Sequence, residues 1–375
     1  MSSLVEKAAF ALSLAKRSLL IGSLALWVGT AAMAATTGST AGLSSRLEVD
    51  RAAVGVGEDV TLRYTLHNDS AQDLRVVYWQ TPLRGVFNDL FDVRVDGQPV
   101  RYVGRLYKWA TPRDQDFIRI PAGGEVSADV ELSAVYEIAK SGAYTINYRL
   151  RPREPMIVLD ASAEGERTLS VDTDKVRSNT VSLSIERDED AEARRSQPFD
   201  FDDDNAARVD PTYVTPGYVS CSSSRQTTLR SALGAAETMS SKGKAYLAAG
   251  KKDSGYTTWF GTYSATNYSK VTTHFNNIYS VFNSKTVTFY CDCTDSSYAY
   301  VYANQPYKIH LCSAFWRAPL TGIDSKGGTL VHECSHFTVV ASTDDWAYGT
   351  AGCQGLSTAK KIDNADCHEY FAETK

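Results

Sequence analysis

The stretch His332-Glu333-Cys334-Ser335-His336-Phe337-Thr338-Val339-Val340-Ala341-Ser342-Thr343-Asp344-Asp345-Trp346-Ala347-Tyr348-Gly349 decides how the chain is read. If its first five residues are helical, one turn separates the two histidines and both imidazoles leave the same face, ~6 Å apart. That spacing suits two ligands of one Zn²⁺, and Glu333 stands where a carboxylate can take a proton from a metal-bound water. A catalytic zinc needs a third protein ligand and an open position. The Asp344-Asp345 pair follows closely enough to supply that ligand after one reversal of the chain. A His-Glu-x-x-His string arises by chance on the order of once in a hundred chains this poor in histidine, so the motif needs support from its surroundings. His67, His274, His310 and His368 lack such spacing, and packed or surface roles are expected for them.

Around the motif the pattern is helical. Gly327-Gly328 opens the motif helix, and Leu229, Leu233, Ala236 and Met239 recur at spacings of three and four within 225–251. Further helices are expected at 266–282 and 365–372, with three short strands at 286–291, 298–302 and 308–312. The C-terminal region therefore reads as a mainly helical α+β domain over 218–375.

Upstream, residues 188–217 form an acidic, polar stretch containing Asp202-Asp203-Asp204 and Arg194-Arg195. It cannot bury enough apolar surface to offset its ordering entropy, so a flexible linker open to proteolysis is expected. Before it, 35–187 alternates as strands do, with Val60, Leu62, Tyr64 and Leu66, and Phe91, Val93 and Val95 before the turn pair Asp96-Gly97. Runs of this size and spacing predict a sandwich of two antiparallel sheets resembling an immunoglobulin module. Residues 1–34 carry Lys7, Lys16 and Arg17, then an apolar run, then Ala32-Met33-Ala34, which is the layout of a secretory signal peptide. A secreted, extracellular product with no membrane span after signal removal is expected.

Composition narrows the function classes. The 375 residues are 43% hydrophobic with a net charge of −5, which leaves no basic footprint for nucleic acid. All seven cysteines lie beyond residue 220: Cys221, Cys291, Cys293, Cys312, Cys334, Cys353 and Cys367. That distribution predicts a disulfide-stapled domain behind a disulfide-free one, with at least one free thiol. Signal, β domain, cleavable linker and metal domain together make the layout of a secreted zymogen, its propeptide serving as inhibitor or folding aid. A propeptide without cysteine cannot place a thiolate on the metal, so a steric block with a charged linker side chain in the cleft is expected.

The region from Cys221 to Thr374 resembles the deuterolysin, or aspzincin, zinc proteases, and within them the peptidyl-Lys metalloendopeptidases. The stretches that carry the resemblance include Tyr256-Thr-Thr-Trp-Phe-Gly, Cys291-Asp-Cys, Leu311-Cys-Ser-Ala-Phe-Trp, Gly328-Thr-Leu-Val-His-Glu, Thr343-Asp-Asp-Trp-Ala-Tyr-Gly and Asn364-Ala-Asp-Cys-His-Glu-Tyr-Phe. The resemblance implies a zincin-type metalloprotease domain, which makes the whole a multidomain chain with the all-β immunoglobulin-like sandwich propeptide, outside the match, in front of it. It makes His332, His336 and Asp345 the ligands of one zinc, Glu333 the general base and Tyr348 the hydrogen-bond donor to the oxyanion. Asp344 is then a turn-capping neighbour. Ser342 stands where the family has glycine, and a positive φ there would strain it.

The same resemblance pairs Cys221 with Cys291 and Cys293 with Cys312. Cys353 and Cys367 can bridge across a helical turn, leaving Cys334 as a buried thiol. Asp366 and Glu369, three residues apart on one helix, correspond to the pocket for the side chain after the scissile bond. Two carboxylates there should raise each other's pKa and favour lysine. The implied reaction is hydrolysis of protein or peptide substrates on the amino side of lysine by a zinc-activated water, in a monomer. Asp366→Asn is then expected to lower lysine-directed turnover roughly 30-fold or more while leaving zinc bound. The alternatives are a broad-specificity deuterolysin-like protease and, in another class, a secreted adhesive or interaction protein.

Overall fold

The computed structural model describes residues 40–150, 156–160, 168–171, 176–186 and 215–375. The expected signal at 1–34 and the linker up to 214 lie outside the described residues. The chain is mixed α/β, with strands filling the N-terminal region and helices dominating the C-terminal one. Among the described residues no helix is long and apolar enough to cross a membrane.

In the N-terminal region the period-two pattern does what pleated geometry requires. Strand Thr61–Asn68 turns Leu62, Tyr64 and Leu66 inward, each fully buried, and pairs antiparallel with Leu43–Val49 and Glu125–Glu131. A second, five-stranded sheet runs in the order Ala53–Gly55, Val181–Glu186, Gly142–Tyr148, Phe91–Val95 and Gln98–Pro99. Its last hairpin turns through Asp96 and Gly97, both at positive φ (49° and 77°), as a tight two-residue turn demands. The sheets are not purely antiparallel as expected. Val181–Glu186 pairs parallel with Ala53–Gly55, and Thr168–Val171 parallel with Thr40–Ala41.

Eight helices follow among the described residues: α1 (Ser223–Ala248), α2 (Ser254–Phe260), α3 (Ala265–Ser284), α4 (Ser313–Arg317), α5 (Lys326–His336), α6 (Gly349–Gly355), α7 (Thr358–Ile362) and α8 (Ala365–Glu373). Serine side chains cap three of them, Ser222 accepting from the Arg225 N–H, Ser264 from Asn267 and Ser325 from Gly328. Leu229, Ala232, Ala236 and Met239 of α1 face the core that α5 also enters.

One sheet joins the two regions. It runs Gly217–Val219, Thr288–Tyr290, Lys308–Leu311, Ala299–Tyr302 and then Arg105–Lys108, a strand that leaves the β-rich region to pair antiparallel with the protein's own C-terminal half. Aromatic side chains from both sides close over this junction. Trp79 stacks on Trp109 at 4.1 Å, Trp109 on Tyr107 at 4.7 Å and His310 on Tyr300 at 4.4 Å, with Tyr300 tilted against Tyr107 at 4.9 Å.

Candidate active site

Helix α5 carries the first three site residues. Its opening Gly327-Gly328 pair lets it pack closely on two sides, since a Cβ at Gly327 would press on Ala235 of α1 and one at Gly328 would collide with Glu373 of α8. The helix is buried along its whole length, and the rings of His332 and His336 lie 4.9 Å apart between centroids. Past His336 the chain reverses. The N–H groups of Val340 and Ser342 both donate to Phe337 O, and Thr343 N donates to Ser335 O. The reversal needs a left-handed residue, and Ser342 supplies it with φ 52°.

This reversal brings Asp345 over the helix. His332 Nε2 lies 3.3 Å from Asp345 Oδ1, and His336 Nε2 lies 3.4 Å from Asp345 Oδ2. The other nitrogen of each ring is taken. His336 Nδ1 donates to Thr343 O at 2.9 Å, and His332 Nδ1 is 2.8 Å from Asp366 Oδ1. Each imidazole therefore directs its Nε2 lone pair inward, the arrangement by which outer hydrogen bonds fix metal-ligating histidines. Two imidazole nitrogens and a carboxylate oxygen, buried and within 4.8 Å of one another, fit a zinc ion. Asp344 sits beside the group, not in it, its Oδ1 accepting from the Asp345 N–H as a turn cap.

Glu333 adjoins this group with both carboxylate oxygens buried and without a protein hydrogen-bond partner. Burial pushes its pKa up to about 7, against the pull of His332 and His336. Burial opposes the charge on Asp345 too, yet the two imidazoles hold it well below the usual carboxylate range.

Asn364 holds the next segment. It occupies the N-cap position of α8 without capping it, because its Oδ1 accepts from the Trp346 and Ala347 N–H groups and its Nδ2 donates to Ala347 O. Tyr348 follows, and its hydroxyl donates to Tyr107 O at 2.7 Å.

On α8, Asp366 and Glu369 share a buried face as their spacing predicted. Between them lies the ammonium of Lys108, 2.8 Å from Glu369 Oε2, 3.3 Å from Asp366 Oδ1 and 3.0 Å from Asp324 Oδ1. Lys108 is 2% exposed. Burial works against its charge, but these carboxylates raise its pKa well above normal. The expectation that the two pocket carboxylates raise each other fails for Asp366. Burial raises Glu369, whereas Asp366 overcomes burial through Lys108 and His332 and is lowered. Tyr370 completes the wall, its hydroxyl donating to Asp324 at 2.8 Å.

Lys108, Tyr107, Asp324, Tyr370 and Asn364 are site residues that the sequence reading missed. Asn364 and Tyr370 lie in the stretch Asn364-Ala-Asp-Cys-His-Glu-Tyr-Phe without having been given a role, and Lys108 and Tyr107 belong to a region that showed no catalytic pattern. The charged side chain in the cleft comes from the β-rich region. The expected bridges Cys221–Cys291, Cys293–Cys312 and Cys353–Cys367 all form, and Cys334 is a buried free thiol.

Residues 245–373 match the aspzincin family model, described as lysine-specific metallo-endopeptidase. An extracellular protease of Aeromonas hydrophila is 36% identical over 89% of this chain and 92% of its own length. A peptidyl-Lys metalloendopeptidase of Pleurotus ostreatus is 48% identical over 42% of this chain and 95% of its own. Among solved structures, a zinc peptidase from Grifola frondosa is 42% identical, covering 41% of this chain and 97% of that one, with a TM-score of 0.40.

Proposed function

From the premise that the chain belongs to the aspzincin family of metalloendopeptidases, we propose that it is a secreted zymogen whose mature form cleaves proteins on the amino side of lysine. The observation that carries the lysine reading is the setting of Lys108, whose ammonium meets three carboxylates while the carbonyl just before it accepts from Tyr348. Lys108 stands in for the side chain that follows a scissile bond. A compact ammonium can direct its three donors among separate carboxylates, whereas a guanidinium is planar and wider.

His332, His336 and Asp345 would hold the zinc, which when bound polarises a carbonyl and acidifies a water. Glu333, with its pKa near neutrality, accepts a proton and returns it to the leaving amine. Tyr348 donates to the carbonyl oxygen where negative charge develops. Asp366 and Glu369 fix the lysine so that the preceding carbonyl falls between these groups.

In the same reading, residues 1–34 are a signal peptide, 35–187 an immunoglobulin-like sandwich propeptide, 188–217 the linker cut on maturation, and 218–375 the monomeric enzyme. The Pleurotus relative, whose near-complete length corresponds to 42% of this chain, supports an enzyme region that stands alone. The test is a cleavage map of a denatured protein mixture. Cuts before lysine, abolished by a zinc chelator, are expected; cuts spread over apolar residues would leave only a broad-specificity protease.

A further inference from the structure

We propose that Glu373 is a positioning residue for lysine recognition: it holds the loop before α5 so that Asp324 closes the acidic pocket as its outer, specificity-determining carboxylate. This role rests on the lysine-directed reading above.

Asp324 differs in setting from its two partners in the pocket. Asp366 and Glu369 project from α8, are buried, and each also reaches His332 Nδ1, at 2.8 and 3.3 Å. The side chain of Asp324 is 39% exposed, and its Oδ1 is shared between Lys108 Nζ at 3.0 Å and the Tyr370 hydroxyl at 2.8 Å. An ammonium entering from solvent therefore meets Asp324 first. Asp324 can also be changed without removing a carboxylate from His332. Its hydrogen bond to an ammonium is of the charge-assisted kind, whose strength depends on where the carboxylate is held.

That placement comes from outside the loop. Residues 319–323 are exposed, and Asp324 itself has a left-handed backbone, φ 54°, which is uncommon for a residue with a Cβ. Such a conformation persists where the surroundings over-determine it. Glu373, in the last turn of α8, supplies the constraint. Its Oε2 accepts from the Asp324 N–H at 3.2 Å, and its Oε1 accepts from the Ser325 N–H at 2.9 Å and the Ser325 hydroxyl at 2.7 Å. Gly328 leaves the space that this carboxyl group fills, and the Gly328 N–H donates to the Ser325 hydroxyl at 2.9 Å. One carboxyl group thus ties the end of α8 to the start of α5 and to the backbone of Asp324.

The test compares lysyl and norleucyl peptides, which differ by the ammonium group, as substrates of the enzyme produced from the full chain. Asp324→Asn keeps a left-handed backbone, which Asn tolerates, and loses the charge. It should raise KM for the lysyl peptide about 10-fold with kcat held within about twofold, and leave the norleucyl peptide unchanged. Glu373→Gln retains one acceptor oxygen but sets an amide N–H against an N–H of the loop. It should lower the lysine-over-norleucine ratio of kcat/KM by a similar factor, and add nothing on top of Asp324→Asn. An unchanged ratio in either variant, equal losses on both peptides from Glu373→Gln, or effects that multiply in the double variant would overturn the proposal. Should Glu373→Gln fail to fold, Asp324→Asn still decides, because a retained ratio there overturns the proposal by itself. A wild-type ratio near one defeats the lysine reading and this role with it; a high wild-type ratio that survives Asp324→Asn defeats this role alone.

Discussion

Asp366 serves several neighbours with one carboxylate. Its Oδ1 lies 2.8 Å from His332 Nδ1 and 3.3 Å from Lys108 Nζ, while its Oδ2 accepts from the Gly349 N–H at 2.6 Å. Helical spacing alone revealed the pairing of Asp366 with Glu369 but not the imidazole behind them, so the expectation that Asp366→Asn spares zinc has to change. Loss of such an outer partner typically weakens metal binding by ~10–100-fold, so Asp366→Asn should lose zinc to a chelator more readily and also lose lysine preference. Glu369→Gln should lose lysine preference with a smaller effect on zinc, since Glu369 is nearer to Lys108 at 2.8 Å than to His332 at 3.3 Å. Chelator competition and cleavage maps of both variants check this; identical zinc retention would refute it. Ser342 makes a simpler case. At φ 52° it bears the cost of a left-handed serine, and Ser342→Gly should raise stability by up to about 1 kcal/mol in a denaturant titration.

Among the elements, helices were legible because apolar spacing and serine caps are local signals. The expected helix at 225–251 appears as Ser223–Ala248, and that at 365–372 as Ala365–Glu373. The Cys221–Cys291 and Cys293–Cys312 pairings came from the family resemblance, whereas Cys353–Cys367 was expected from its place across a helical turn. The Cys353–Cys367 bridge ties α6 to α8 across a separation of 14 residues, next to Asp366. Replacing both cysteines with alanine should destabilise the chain by ~3 kcal/mol, read as a lower denaturation midpoint, because the unfolded chain regains the entropy of that loop. Since α8 presents Asp366 to His332, the same variant should also hold zinc less tightly. Cys334 behaves differently. Burial raises its thiol pKa, so alkylating reagents should leave it untouched until the chain unfolds.

For the molecule as a whole, the sequence hid its most informative contact. Alternation marks a strand but not its partner, and Arg105 meets Tyr302 across a separation of 197 residues. Long-range pairing of this kind depends on which edge is open in the folded molecule, which no local pattern encodes. The remaining histidines show the same limit, for packed or surface roles are all that their spacing predicts, and their pairing could not be read. His368 Nδ1 donates to Asn364 O at 3.0 Å, which leaves its Nε2 to accept from His274 Nδ1 at 2.9 Å. This link between α3 and α8 requires the His368 ring to be neutral, and burial favours the same state in His274. Burial lowers His274 to about 4 and His368 well below its usual value. In the unfolded chain both titrate near ~6.5, so as the pH falls the unfolded state takes up protons first. The contribution of the pair is therefore complete above that pH and declines below it, for His274 down to about 4, at up to ~1.4 kcal/mol per pH unit for each ring. Glu333 and Glu373, which burial raises to about 7 and about 8, act in the opposite sense over part of the same range. Total stability is consequently a poor readout, whereas ring-proton NMR resolves each histidine. At pH 5.5 the His274 and His368 signals should still be those of neutral imidazole. If both signals were already those of imidazolium at that pH, the neutral pair would not exist and its part in acid sensitivity would fall with it.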